Sequence, residues 1–182
     1  MNRFRIVSGG QSGIDRAALD SAISRGWPCG GWCPRGRRAE DGQIGPAYPL
    51  IETPEHGYET RTRLNVEASS ATLILTSGAP AGGTALTACF CRQATRPYLV
   101  IDAETTVASR ATIQLLRFLA AGNFAGLNVA GPRESGWPAG YAYARGVLDV
   151  TLTTWDQADS RRALVSSESE VNGGPHTEPL QQ

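Results

Sequence analysis

Short apolar segments recur along this chain, each followed by a glycine-rich loop and then by a helical pattern, and this alternation constrains the fold more than any other feature. The clearest segment is residues 71–76, ATLILT, a nearly continuous apolar run typical of a strand buried on both faces of a parallel sheet. Residues 4–8 and 127–130 are shorter segments of the same kind. Strands that alternate with helices predict a parallel sheet covered by helices on both faces.

The remaining periodic segments complete this pattern. After Gly13, the residues Ile14, Ala17, Ala18, Ala22 and Ile23 share one apolar stripe at helical spacing. Further strands are predicted at 28–32 and 98–101, and further helices at 59–68, 84–96, 108–121 and 141–151. In the helix at 108–121, either Ile113, Leu116 and Leu119 or Leu115 and Phe118 are expected to face inward. We therefore predict an α/β, Rossmann-like fold with a mostly parallel sheet and helices on both faces.

The length of the chain, 182 residues, leaves room for one ordinary domain. We assign residues 1–153 to a single Rossmann-like, ligand-binding domain. After Trp155 the sequence has few apolar residues and no period, so residues 154–182 are expected to form a mobile C-terminal tail.

The charge of the chain excludes several kinds of chemistry. The formal net charge is zero, so no overall field attracts nucleic acid or anionic lipid, and neither is expected as a partner. All 17 basic residues are Arg, and the sequence contains no Lys. Neither a Schiff base nor a Walker-type lysine on a phosphate is therefore available. An anionic ligand would have to be held by Arg side chains and backbone N–H groups.

The distribution of apolar residues favours a cytoplasmic protein without a membrane segment. The N-terminal residues 1–10 lack the hydrophobic region of a signal peptide. The longest charge-free stretch, residues 68–91, has the length of a membrane span but contains Ser-Gly-Ala-Pro-Ala-Gly-Gly in its middle. We interpret it as a strand, a loop and a helix.

The cysteines and histidines are interpreted as non-functional. Cys29, Cys33, Cys89 and Cys91 do not follow the spacing of a zinc knuckle, so we expect small buried apolar residues rather than a metal site. His56 and His176 are isolated along the sequence and are expected at the surface. No serine has a placed histidine, which makes hydrolysis by a catalytic serine the weaker hypothesis. No catalytic residue and no metal ligand is assigned.

Three glycine-rich loops carry the predicted binding site. In parallel α/β sheets ligands bind beyond the carboxyl ends of the strands, where loops lead into helix N-termini. Glycine allows close approach of the backbone to a ligand, and the start of a helix offers unpaired N–H donors and partial positive charge. A phosphate can be held there without lysine. The site residues predicted in these loops are Gly9, Gly10, Gln11, Ser12, Gly13, Asp15, Arg16, Ser77, Gly82, Gly83, Thr84, Arg133, Glu134 and Ser135.

The long segment at residues 33–58 is dense in Pro and Gly and carries a charged cluster. Such a loop is uncommon inside a compact domain and is usually functional or disordered. Guanidinium groups grip oxyanions in bidentate fashion, so this loop is predicted to close over the ligand; a solvated surface run is an equal alternative for any single arginine. Arg35, Arg38, Glu40 and Asp41 join the predicted site on this ground.

Several motifs of this sequence resemble those of the molybdenum carrier family, also described as the circularly permuted YpsA-like branch of the SLOG superfamily. They begin with SGGQSGIDRAALD at 8–20 and GGWCPRGRRAEDG at 30–42. They continue with TRT at 60–62, Asn65-Val66, ATLIL at 71–75, GGTALT at 82–87 and NVAGPRES at 128–135. The resemblance spans residues 4–148.

The resemblance implies a Rossmann-like fold that binds a nucleotide or nucleotide-like ligand, with a role in holding molybdenum cofactor in the cytosol. That cofactor carries a terminal phosphate on its pterin, which fits the glycine loops. Related SLOG proteins that hydrolyse N-glycosides carry Gly-Gly-x-Gly-Thr-x-x-Glu with a catalytic Glu. Here Thr87 stands at the position of that acid, which counts against the same hydrolysis because Thr cannot stabilise positive charge as a carboxylate does.

Two hypotheses follow from these observations. The first is a noncatalytic carrier or sensor that holds a phosphate-bearing ligand, molybdenum cofactor or a nucleotide, through the glycine loops. The alternative is a sensor or hydrolase of a nucleotide derivative of the AMP or ADP-ribose type, in which Asp15, Glu40 or Asp41 activates water. The resemblance also leads us to expect a homo-oligomer.

Overall fold

The computed structural model describes residues 3–171, with side chains described as far as Ser160. Its strands are β1 (Arg5–Val7), β2 (Cys29–Cys33), β3 (Arg38–Ala39), β4 (Gly42–Gln43), β5 (Leu50–Glu52), β6 (Ala71–Thr76), β7 (Tyr98–Asp102) and β8 (Gly126–Ala130). Six of them form one sheet in the order β5-β2-β1-β8-β6-β7, in which every neighbouring pair is parallel. The strands β3 and β4 form a separate antiparallel hairpin.

Five helices cover the two faces of this sheet. They are α1 (Ile14–Ile23), α2 (Tyr58–Glu67), α3 (Gly82–Gln93), α4 (Ala108–Ala120) and α5 (Gly140–Val171). Helices α1, α4 and α5 pack together on one face, and α2 and α3 pack together on the other. The predicted fold class, an α/β Rossmann-like fold with a parallel sheet, is confirmed.

The two faces of the sheet bury different kinds of side chain. Leu73, Leu75 and Val129 belong to the large apolar core beneath α1, α4 and α5. Because side chains alternate along a strand, Thr72 and Asn128 face the opposite way, toward α2 and α3. The apolar cluster on that side is small, with Val66, Phe90 and Cys91 as its buried members. This face therefore leaves a partly polar space between the sheet and its two helices.

The segment at residues 33–58 is more ordered than the long loop predicted for it. It contains the β3–β4 hairpin and the edge strand β5, which pairs with β2. Arg37 holds the segment between β4 and β5 in place. Its guanidinium donates to the carbonyl oxygens of Ile44, Gly45, Tyr48 and Leu50 at 2.8–3.1 Å. This arginine has a structural role, and it fixes where the acidic tip of the hairpin lies.

The last helix is longer than predicted. The sequence predicted a helix at 141–151 and a tail from residue 154, whereas α5 continues to Val171. Trp155 is 9% exposed and packs edge-on against Phe4, and Asp156 accepts hydrogen bonds from Arg3 and from the indole of Trp27. These contacts fix the helix beyond Thr151 against the N-terminal strand. The rest of the predicted tail, residues 172–182, lies outside the described residues.

The buried stripe of α4 combines the two alternatives drawn from its sequence. Leu115 and Leu119 are buried, Leu116 and Phe118 pack partly against the core, and Ile113 is 51% exposed. Within residues 3–171, no helix combines the length and the apolar character needed to cross a membrane.

Candidate functional site

A cavity of about 450 Å³ lies at the carboxyl ends of β1, β8 and β6, between these strand ends and helices α2 and α3. Its size is that of a small-molecule site. The three glycine-rich loops predicted from the sequence all border it, because parallel strands direct their following loops to the same edge of the sheet. Eight of the predicted site residues line it: Gly9, Gln11, Asp15, Ser77, Gly82, Gly83, Thr84 and Arg133.

The start of α3 presents free hydrogen-bond donors to this cavity. The N-cap residue is Ala81, which has no side chain that can cap the helix. Among the described residues, the backbone N–H groups of Gly82 and Gly83 have no partner, while those of Thr84 and Ala85 bond to the Ala81 carbonyl. A β-carbon added at Gly82 or Gly83 would meet no atom within 4 Å. This helix start therefore has free N–H donors, and the binding of an anion to it stays a prediction.

Thr84 adds a further free group at the same place. The residue is 5% exposed and lines the cavity, yet its hydroxyl makes no hydrogen bond within the described part of the chain. This hydroxyl is therefore available to a ligand atom in the cavity.

The first glycine loop is partly occupied by the protein's own side chains. The Gln11 side-chain oxygen accepts the backbone N–H of Ser12 at 3.0 Å. The Asp15 carboxylate lies beside the loop, where the backbone N–H groups of Gly9 and Gln11 act to lower its pKa against the effect of burial. A phosphate cradle at residues 9–13 stays a prediction, with the Ser12 N–H already used and an acidic side chain next to it.

Arg61, on α2, is the charged residue of the cavity that sequence reasoning missed. Its Nη1 donates to Asp15 Oδ2 at 2.8 Å, and the two side chains are only 15% and 5% exposed. Its Nε is buried without a hydrogen-bond partner among the described residues. Burial raises the pKa of the Asp15 carboxyl above its ordinary value, against the opposing effects of Arg61 and of the two backbone N–H groups. Arg61 belongs to the TRT motif of the resemblance, which was its only sequence signal.

The acidic tip of the β3–β4 hairpin fastens two loops together instead of closing over the cavity. Glu40 accepts the hydroxyl groups of Ser12 and Ser135, each at 2.5 Å, and the backbone N–H of Ser135 at 2.9 Å. Burial alone would raise the pKa of Glu40, but these bonds and the Arg133 guanidinium lower it to about 2. We call Ser12, Glu40 and Ser135 the clamp.

The neighbouring residues of the hairpin strengthen this attachment. Arg16 makes a two-pronged ion pair with Asp41, both contacts at 3.1 Å, and the backbone N–H of Glu40 donates to the Gln11 side chain at 2.8 Å. The five predicted site residues Ser12, Arg16, Glu40, Asp41 and Ser135 therefore lie outside the cavity lining. Their hydrogen-bonding capacity serves the clamp and its surroundings.

The remaining predicted residues are explained by packing or by exposure. Gly10 and Gly13 have φ values of +74° and +77°, and an added β-carbon would meet Leu50 at 2.4 Å and the backbone of Pro132 and Glu134 at 2.9 Å, respectively. Both glycines thus permit close packing of the loops. Arg35, Arg38 and Glu134 are exposed and do not line the cavity.

The four cysteines are free thiols away from the cavity lining. Cys29 and Cys33 lie on β2, and Cys89 and Cys91 lie on α3. Burial raises the pKa of the Cys29, Cys33 and Cys91 thiols. Over the described residues, no group of three or more His, Cys, Asp or Glu side chains is arranged to hold a metal ion.

Further lining residues come from positions that carry no glycine signal. They are Tyr58, Thr62 and Asn65 on α2, Leu86 and Thr87 on α3, Thr76 at the end of β6 and Asn128 on β8. Thr87, at the position of the catalytic acid in related SLOG proteins, donates its hydroxyl to the Gly83 carbonyl at 3.0 Å. Polar residues within otherwise buried strands, such as Asn128, were the available sequence signal.

The fold and the cavity together define a Rossmann-like domain whose candidate ligand site lies at the carboxyl edge of a parallel sheet. Residues 6–152 match the circularly permutated YpsA SLOG family, and the chain belongs to that family. No match was found among curated proteins.

A solved structure supports the same assignment. A crystal structure titled "Putative molybdenum carrier protein", from Syntrophus aciditrophicus SB, is 41% identical in sequence. The match has a TM-score of 0.80 and covers 81% of this chain and 94% of that one. The predicted resemblance to this family is confirmed.

Proposed function

We propose that this protein binds a small phosphate-bearing ligand without transforming it, and that the ligand is molybdenum cofactor. The observation that carries the proposal is the open start of α3 beside the cavity, where the Gly82 and Gly83 N–H groups and the Thr84 hydroxyl have no partner among the described residues. Partial positive charge at a helix N-terminus stabilises a phosphate there. The name of the similar solved structure supports the choice of cargo.

Arg61 adds positive charge to the lining of the same cavity. The guanidinium is already paired with Asp15, but Arg offers five donors in a planar fork, and its Nε has no partner in the part of the chain that the structure describes. In the proposal, Asp15 orients Arg61, and Arg61 provides positive charge for the bound anion. Arg133 borders the mouth of the cavity; its side chain is 58% exposed and lies 3.6 Å from Glu40, and in the proposal it approaches the ligand from the solvent side.

The alternative function is a sensor or hydrolase for a nucleotide derivative of the AMP or ADP-ribose type. Of the three carboxylates that the sequence offered as bases, Asp15 alone lines the cavity. Its carboxylate is paired with Arg61, while Glu40 and Asp41 hold the hairpin. Thr87 uses its hydroxyl within α3. These contacts favour binding over hydrolysis.

Native mass spectrometry of the protein purified without added ligand, combined with molybdenum analysis, tests the proposed cargo. The proposal predicts a co-purifying pterin phosphate, with molybdenum in the same fraction. Incubation with AMP and with ADP-ribose tests the alternative. Release of base or phosphate that is abolished by Asp15→Asn would replace the carrier proposal by the hydrolase.

The proposal places the protein in the cytosol as a homo-oligomer, both on the basis of family resemblance. Light scattering of the eluted protein on a sizing column measures the number of subunits.

A further inference from the structure

The floor of the cavity contains one amide side chain whose hydrogen-bonding capacity is largely unused. Asn128 lies on β8, two residues before the end of that strand, so the cavity extends down the face of the sheet as well as along its rim. The residue is 2% exposed. Its neighbour Val129 belongs to the core on the opposite face, which directs Asn128 toward α2 and α3.

Four other uncharged polar residues of the cavity lining are satisfied by the protein itself. Thr62, Thr76 and Thr87 each donate to a backbone carbonyl at 2.8–3.0 Å, those of Tyr58, Gly78 and Gly83. Asn65 bonds to both the N–H and the carbonyl of Trp32, at 2.7 and 3.0 Å. These side chains hold α2, α3 and the loops in place, and few of their donors and acceptors remain unpaired for a ligand.

Asn128 differs from them. Its one hydrogen bond within the described residues is a long contact of 3.4 Å from Nδ2 to the Thr72 hydroxyl. A carboxamide can make up to four hydrogen bonds. The protein thus keeps a donor and an acceptor available at the base of the cavity.

We infer that Asn128 determines the specificity of this site by hydrogen-bonding the edge of a flat heteroaromatic ring on the ligand, while the ligand's phosphate lies at the start of α3. A carboxamide presents a donor beside an acceptor and pairs with a ring edge that offers the same two groups in complementary order, as it does with adenine. Purines and pterins share such an edge. The inference rests on the proposed function and adds to it the class of ring in the ligand and the residue that hydrogen-bonds this ring.

The experiment compares ligands that share a phosphate and differ in the ring. Calorimetric titrations use ribose 5-phosphate, which has no heteroaromatic ring, GMP as the purine and a pterin monophosphate as the pterin. Wild-type protein is expected to bind one of the two ring-bearing probes at least about tenfold more tightly than ribose 5-phosphate. The probe that binds more tightly shows whether the ring of the ligand is a purine or a pterin.

The variant Asn128→Leu keeps the approximate size of the side chain and removes its hydrogen bonds. It should weaken binding of the preferred ring-bearing probe by about tenfold to a hundredfold and leave ribose 5-phosphate within about twofold of wild type. The control Thr72→Val removes the 3.4 Å contact and should retain the ring preference. Circular dichroism and urea unfolding establish that both variants are folded; if Asn128→Leu is not, Asn128→Ser replaces it with the same expected result.

The outcomes separate this inference from the proposed function. If ribose 5-phosphate binds and no ring preference exists, or if Asn128→Leu retains the preference, the assignment of Asn128 is wrong and phosphate binding stands. If none of the three probes binds to wild-type protein, both the assignment and the phosphate site are overturned.

Discussion

The guanidinium of Arg61 lies over the α-carbon of Gly9, so closely that a β-carbon added there would lie 1.6 Å from Nη1. The backbone of Gly9 is not in the left-handed region, so the space that Arg61 needs is what requires glycine at this position. A glycine that looked like part of a phosphate loop thus serves the Asp15–Arg61 pair. This pair connects α1 and α2 at the wall of the cavity.

Gly9→Ala should displace Arg61 from Asp15. The backbone can accept the new side chain, but the guanidinium must move, which leaves a buried carboxylate with one partner fewer. We expect the free energy of unfolding to fall by about 1–3 kcal/mol in urea titrations. Gly45→Ala is the matched control, because a β-carbon there meets no atom within 4 Å. Equal stability of the two variants would contradict this role of Gly9.

Arg61→Met should destabilise the protein more at neutral pH than in acid. Removing one partner of a buried ion pair costs about 3–5 kcal/mol, since the other charge stays buried. The pKa of Asp15 is already raised by burial and rises further without Arg61. A folded state with a raised carboxyl pKa binds more protons than the unfolded state, so its stability falls as pH rises above the unfolded value of about 3.8.

Urea unfolding of Arg61→Met at several pH values between about 3 and 8 measures this dependence. The control is Arg63→Met, on the exposed side of the same helix, where the pair with Glu67 is about half exposed on both sides and contributes little. A loss of stability in Arg61→Met that does not vary with pH would argue against a buried, unpaired Asp15.

The clamp should make the protein sensitive to acid. The pKa of Glu40 is lowered from 4.5 to about 2, so the folded state binds fewer protons than the unfolded state between these values. The contribution of Glu40 to stability is therefore complete above pH 4.5 and is lost as pH falls toward 2. Glu40→Gln should flatten this part of the profile of urea midpoint against pH, and Ser135→Ala should shift it to higher pH. Parallel acid profiles for wild type and Glu40→Gln would show that Glu40 does not carry the effect.

Arg37 should contribute to stability although it touches no part of the cavity. Its guanidinium serves four backbone carbonyls between Ile44 and Leu50, of which those of Gly45 and Tyr48 also accept a backbone N–H. We expect Arg37→Ala to lower the free energy of unfolding by about 2–4 kcal/mol and to expose residues 38–50 to limited proteolysis. The neighbouring exposed Arg38→Ala should have no effect on either measurement.

Sequence reasoning predicted the fold where periodicity and burial agree. The run ATLILT became β6 with the same bounds, and the predicted stripe became the buried side of α1 from Ile14 to Ala22, whereas Ile23 is 44% exposed at the end of the helix. The edge strand β5 escaped prediction because three residues, of which only Leu50 is buried, do not produce a pattern. The extension of α5 escaped because its last turns have few apolar residues, and its contacts through Trp155 and Asp156 come from distant parts of the chain.

The site was predicted in its location more than in its chemistry. Glycine loops indicate where a backbone can approach a ligand, and on that ground the sequence predicted a site at the starts of α1 and α3. They do not reveal which backbone N–H groups are bonded within the protein, such as that of Ser12, which donates to the Gln11 side chain. Arg61 and Asn128 lie within a helix and a strand, where a polar residue has many structural explanations. Only the packing of α2 and α3 over the sheet brings them to the cavity.

The most direct test of the account compares Gly83→Asp with Gly83→Ala in calorimetric titrations with molybdenum cofactor, with AMP as the second probe. Both side chains have open space, and an aspartate in the first turn favours the helix, so both variants should unfold at the wild-type urea concentration or above it. The account predicts that Gly83→Ala binds as wild type does and that Gly83→Asp does not bind, because its carboxylate takes the place of the phosphate. Wild-type affinity in Gly83→Asp would contradict the claim that the start of α3 holds the ligand.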